Sequence, residues 1–259
     1  MRILFLSLAL ALLGGCAGGL RIDTSHTSVS QSSRVQYVVL HYTSADLPTS
    51  LRVLTRDGVS SHYLIGDHPA TIYRLVDESR RAWHAGESDW QGRTWLNAST
   101  LGIELVNDGY VETPNGRVYR PYSDEQIDAL ILLLKDIVAR HSLPLGSIIG
   151  HSDIAPQRKV DPGPLFPWKR LADAGLVAWP EAGAVARAQA RFAYSLPTVA
   201  WFQQQLARLG YTTPQTGVLD EATRNVISAF QMKYRQRLYD GQPDAETAAL
   251  LLVLNGMPR

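Results

Sequence analysis

Ser147-Ile148-Ile149-Gly150-His151-Ser152-Asp153-Ile154-Ala155-Pro156-Gln157-Arg158-Lys159-Val160-Asp161-Pro162-Gly163 is the stretch on which the reading of this chain turns. Its opening residues suit a short buried strand, which Gly150 ends. His151 then stands at the strand end, and Asp161 follows in a Pro- and Gly-rich loop. Working outward, Val35-Gln36-Tyr37-Val38-Val39-Leu40 is a second apolar, β-branched run, and His41 follows it directly. Side chains at strand ends project into a common cleft while the sheet fixes their backbones. Two imidazoles and one carboxylate, with a fourth position left for water, form a catalytic zinc set. Spacing alone does not separate such ligands from ordinary hydrogen-bonded histidines.

The same alternation continues between these anchors. Residues 61–66, 71–76 and 101–106 are expected as strands, the last containing Leu101-Gly102-Ile103-Glu104-Leu105. Ser123 and Gln126 have capping-box spacing, and Ile127, Leu130, Ile131, Leu134, Ile137 and Val138 follow at helical intervals. That helix ends near His141, with Pro144 beyond. The expected class is α/β, a mixed central β-sheet flanked by helices. Residues 179–195 are Ala-rich and read as a linker, although an Ala-rich segment can also be helical. Beyond them, residues 196–259 are expected to form a small all-α, three-helix domain. Gly217-x-x-Asp220-x-x-Thr223 is echoed by Gly241-x-x-Asp244-x-x-Thr247, and each Asp can cap the helix after it.

The motifs in this order resemble a known family. The stretch from Gly150 to Gly163, together with Leu101–Leu105, Trp83-His84-Ala85-Gly86, Ser61-His62-Tyr63-Leu64-Ile65 and His41, is similar to the zinc-dependent N-acetylmuramoyl-L-alanine amidases of the type 2 amidase and peptidoglycan-recognition fold. The tail, Leu206-Ala207-Arg208-Leu209-Gly210-Tyr211 through Phe230-Gln231, resembles a type 1 peptidoglycan-binding domain. The resemblance implies a zinc amidase domain over residues 34–178. His41, His151 and Asp161 would hold the metal, Glu104 would act as general base, and Lys159 would sit near the scissile carbonyl. Some relatives place a Tyr at the position of Ser61; its absence here puts more weight on Glu104. Ile103 and Leu105 are apolar, so Glu104 occupies the opposite strand face, toward either a site or solvent. Trp83, His62 and His84 are candidates for binding substrate, and the two histidines could equally be hydrogen-bonded core residues.

The N-terminal residues bear on compartment. Ile3 to Leu13 is apolar but shorter than the ~20 residues a spanning helix needs, so residues 1–15 read as a signal peptide. Leu13-Gly14-Gly15-Cys16 resembles a bacterial lipobox, implying lipidation at Cys16, the single cysteine. Residues 16–33 then serve as a flexible tether, and Ala17 implies outer-membrane sorting, facing the periplasm. A net charge of +1 gives no electrostatic basis for nucleic acid as partner. Three function classes remain: an amidase cutting peptidoglycan or muropeptides, a lipoprotein that binds the wall without cutting it, and a structural tether. Retention of all three candidate ligands and an acid favours the amidase. The C-terminal domain either targets the wall or only packs on the enzyme.

Overall fold

A parallel core of strands places the candidate residues side by side. The computed structural model describes residues 20–257. The signal segment, Cys16 and Ala17 lie outside them. Residues 20–32 contain no helix or strand. From residue 33 onward the chain forms one compact unit.

Its first half contains β1 (Tyr37–Tyr42), α1 (Leu47–Arg56), β2 (Tyr63–Ile65), β3 (Ile72–Arg74), β4 (Asp89–Trp90), β5 (Arg93–Thr94) and β6 (Thr100–Leu105). Then come β7 (Tyr110–Thr113), β8 (Gly116–Tyr119), α2 (Asp124–His141), β9 (Ile148–Gly150), α3 (His151–Ile154) and α4 (Trp168–Asp173). The second half is helical: α5 (Ala182–Tyr194), α6 (Val199–Leu209), α7 (Glu221–Tyr234) and α8 (Ala245–Asn255). The main sheet has the order β3-β2-β6-β1-β9, with β2–β3 antiparallel and the other pairs parallel. The expected mixed sheet with flanking helices is therefore the observed one.

Alternation along the strands gives the sheet two buried faces. Val38, Leu40, Leu101, Ile103 and Leu105 pack with Ile127, Leu130, Leu134 and Ile137 of α2. Tyr37, Val39 and Ile149 join a second core built largely from the C-terminal helices, including Phe202, Leu206, Val226 and Phe230. The capping box at α2 is only half made. Ser123 Oγ accepts from Gln126 N–H at 3.2 Å, but the Gln126 amide is drawn into the core. There it donates to the carbonyls of Ile65, Gly66 and Val106, tying the ends of β2 and β6 to α2.

The C-terminal echo is structural. Asp220 and Asp244 each accept from the backbone of the Thr three residues on, both at 2.8 Å. A buried glutamine completes each copy. Gln203 accepts from Gly217 N–H and donates to Thr223 Oγ1; Gln231 accepts from Gly241 N–H and donates to Thr247 Oγ1.

The linker reading of residues 179–195 needs correction. Most of that stretch is α5, capped by Glu181, whose carboxylate accepts from Gly183 and Ala184 N–H. Alanine is the best helix former, and Phe192 supplies an apolar anchor in the shared core. The helical alternative for this Ala-rich stretch is the one the structure takes, with Val185 and Ala188 packed beside Phe192.

Candidate active site

Register brings the predicted residues together. His41 on β1 pairs with Glu104 on β6, and the two face the side of the sheet opposite Leu40 and Ile103. His151 begins α3 directly after β9, whose Gly150 pairs with Leu40. Asp161 returns from the following loop, where its carbonyl accepts from Ser152 N–H at 2.8 Å. All three candidate ligands are buried. The Nδ1 atoms of His41 and His151 are 2.9 Å apart, and each lies 3.0–3.1 Å from Asp161 Oδ2.

Hydrogen bonds behind the imidazoles decide which nitrogens carry protons. Thr100 Oγ1 donates to Leu96 O at 2.8 Å, so its oxygen accepts from His84 Nε2–H at 3.1 Å. His84 Nδ1 then has a lone pair and accepts from His41 Nε2–H at 3.0 Å. His151 Nε2–H donates to Ala85 O at 3.2 Å. Both imidazoles thus turn Nδ1 lone pairs toward Asp161, the donor set a divalent metal requires. Burial and neighbouring His151 hold His41 down to about 4, against the pull of Asp161, so it is neutral at pH 7. His84 is likewise held well below the usual histidine range by burial and the surrounding rings. Burial alone would raise Asp161, but His151 and His41 outweigh it and keep its carboxyl below the usual range. A ligating carboxylate and neutral imidazoles are the protonation states that metal binding demands. Hence the residues present fit a zinc ion.

The triad sits at the floor of a groove of about 450 Å³. Glu104 and Lys159 line it, with Tyr42, Tyr110 and Trp83. Burial, reinforced by Asp161 and opposed by Lys159, pushes the Glu104 carboxyl up to about 8. One of its oxygens is buried without a hydrogen-bond partner. Trp83 is 52% exposed at the rim, with the Arg81 guanidinium 4.2 Å over its ring.

His62 and His84 differ. His62 is fully buried, accepts from Gly102 N–H at 3.0 Å and donates to Arg80 O at 3.2 Å. It takes the core-histidine alternative, for both ring nitrogens are spent on the main chain. His84 lines the groove but spends its nitrogens on His41 and Thr100. Thr100 was missed, being an unremarkable threonine at the head of a strand. Arg158 donates to Ala85 O and Glu87 O and clamps the loop after Trp83.

Comparison with known proteins places this geometry. Residues 31–164 match the N-acetylmuramoyl-L-alanine amidase family, and residues 195–251 match a peptidoglycan binding domain. The chain is 42% identical over 264 residues to N-acetylmuramoyl-L-alanine amidase AmiD of Escherichia coli (strain K12), covering 96% of this chain and 95% of that one. The chain belongs to the N-acetylmuramoyl-L-alanine amidase family. Among solved structures it resembles E. coli AmiD in complex with the substrate anhydro-N-acetylmuramic acid-L-Ala-D-gamma-Glu-L-Lys, with a TM-score of 0.82 and 40% identity over 91% of this chain and 94% of that one. It also resembles AMPDH3 of Pseudomonas aeruginosa, with a TM-score of 0.85 and 38% identity over 92% and 98% of the two chains. Within this amidase family, the expected zinc triad falls on three side chains that the fold has already brought together.

Proposed function

We propose that this amidase hydrolyses the bond between N-acetylmuramic acid and L-alanine in peptidoglycan or muropeptides, with zinc held by His41, His151 and Asp161. A zinc ion bound there supplies a Lewis acid for the carbonyl and a water whose pKa falls toward ~7. With a cation bound beside it Glu104 would be ionised, and from its place in the groove, in register with His41, it would take the proton of the attacking water and return it to the departing alanine nitrogen. Lys159 places a cation where the carbonyl oxygen becomes negative. Trp83 offers an exposed indole on which a sugar or peptide face can stack.

The observation that carries this reading is the partnerless Glu104 oxygen beside three converging ligand atoms. A protein that only recognised the wall would have no use for a buried, unpaired acid in its cleft, where such a group costs stability. Digestion of defined muropeptides, with products identified by mass, tests it. Free stem peptide should appear, vanish on chelation and return with zinc. Peptide release that survives complete zinc removal would refute the mechanism.

The helical domain holds the enzyme on the wall by adding a second contact to the substrate polymer. The anchor reading rests on the sequence of residues 13–17: Cys16 carries lipid and ties the enzyme to the outer membrane, facing the periplasm. Among the described residues no helix is long and apolar enough to cross a membrane. Mass spectrometry of membrane-extracted protein should find a lipidated N-terminal Cys16; an unmodified thiol there would remove the anchor.

A further inference from the structure

The turn carrying His151 is held from beneath by the C-terminal helices. Asp153 lies two residues after the ligand, inside α3, with 1% of its surface exposed. Its Oδ2 accepts from Gly150 N–H at 2.8 Å, closing the turn that begins at His151. The same oxygen accepts from Lys233 Nζ at 2.9 Å, and Oδ1 accepts from Tyr211 O–H at 2.6 Å. Lys233 comes from α7 and Tyr211 from the segment after α6; both are buried. Lys233 also donates to Ile148 O at 3.4 Å and lies 4.2 Å over the Trp168 ring. Every partner of the Asp153 carboxylate other than Gly150 is therefore supplied by the C-terminal domain.

We propose that the C-terminal helical domain is a positioning element of the metal site, Lys233 and Tyr211 fixing the Asp153 carboxylate that clamps the His151 turn. Packing alone would not require this arrangement. Apolar side chains of similar volume fill such an interface at no desolvation cost, whereas a buried ion pair must be matched atom for atom. Matched, it holds one geometry; stripped of one partner, it leaves a charge that must draw in water or abandon Gly150 N–H. The catalytic half thus depends on the helical half for the pose of one ligand, apart from any wall binding. The inference rests on the reading of His151 as a zinc ligand.

The test uses the full-length chain. Zinc affinity is measured by competition with a chromogenic chelator, and coordination geometry by the visible spectrum of the cobalt-substituted protein. Lys233→Met should weaken zinc binding roughly 10- to 100-fold, the range for lost outer-shell support, and alter the cobalt bands. Lys233→Met/Asp153→Asn should recover most of that loss, because the Asn oxygen still accepts from Gly150 and no charge stays buried. Should Lys233→Met not fold, Tyr211→Phe, which deletes one oxygen, carries the test and should weaken zinc binding several-fold. A folded Lys233→Met or Tyr211→Phe protein with wild-type zinc affinity and cobalt spectrum would overturn the inference while leaving the metal reading intact. Wild-type protein that takes up no zinc would remove both.

Discussion

Glu104 lies directly across the parallel ladder from His41, so the candidate base and a candidate ligand are fixed relative to each other by main-chain hydrogen bonds. On its other side Glu104 pairs with Leu64, which is fully buried. The carboxylate is thus pressed between the candidate metal ligands and an apolar core. Positioned general bases contribute roughly 10²–10⁴-fold to rate. Glu104→Gln should lose turnover by about that factor while binding zinc as tightly as the parent. Steady-state amidase assays beside metal analysis check this, and a variant with full turnover would reassign the base.

The same burial predicts a pH signature in the metal-free protein. Glu104 titrates near 4.5 when unfolded and at about 8 when folded. Between those values the folded state holds a proton that the unfolded state has released. Stability is therefore fully present below pH 4.5, falls as pH rises, and levels off above about pH 8, with a slope approaching ~1.4 kcal/mol per pH unit. His41, His62 and His84, all held below the ordinary histidine value of 6.5, give the opposite slope through the tail of that titration, so the Glu104 effect stands clear from about pH 7.5 to about 8.5. Chemical denaturation of the chelated protein across that window should show stability declining, and Glu104→Gln should flatten the decline. Parallel curves for the two proteins would place the carboxyl's folded-state titration elsewhere.

Gly102 is a packing requirement of the candidate metal site. A Cβ built there would stand 2.4 Å from His84 Cγ and 2.7 Å from Nδ1, atoms of a rigid ring. That Nδ1 is the acceptor that orients His41. Gly102→Ala should push His84 aside, free the His41 ring and weaken zinc binding about 10- to 100-fold. Chelator competition measures this directly. Wild-type affinity in Gly102→Ala would mean that the hydrogen-bond chain from Leu96 O does not hold the ligand.

How far the sequence discloses this molecule follows from the kind of signal each part emits. His41 and His151 stood out because each terminates an apolar run, but only the family motifs around them, not their spacing, marked them as candidate ligands. Glu104 was visible as the polar member between Ile103 and Leu105, but that alternation left site and solvent equally open, and only the family resemblance marked it as a candidate base. Thr100, Asp153, Tyr211 and Lys233 were not legible, because their roles depend on contacts between distant segments that leave no local period. The hairpin of β7 and β8 escaped notice because its strands are short and largely exposed, with no buried face to impose alternation. Gln126 misled in an instructive way: its spacing fits a capping box, but three strand-end carbonyls compete for the amide and win.

Helix α5 offers the sharpest contrast between a structural contact and a site contact. Phe192 is 6% exposed and packs 5.5 Å from the Trp201 ring, within the core shared by α6 and α8. Truncating a buried Phe costs about 3–5 kcal/mol, whereas a change in an exposed connecting segment stays within about 0.5 kcal/mol. Phe192→Ala should therefore lower the thermal midpoint by on the order of 10 °C. Neither Phe192 nor any other residue of α5 lines the groove. At temperatures where the variant is folded, its zinc affinity should match the parent's, unlike that of Lys233→Met. Calorimetry and chelator competition on the two variants separate the effects. An unshifted midpoint in Phe192→Ala would return residues 182–194 to the status of a connector.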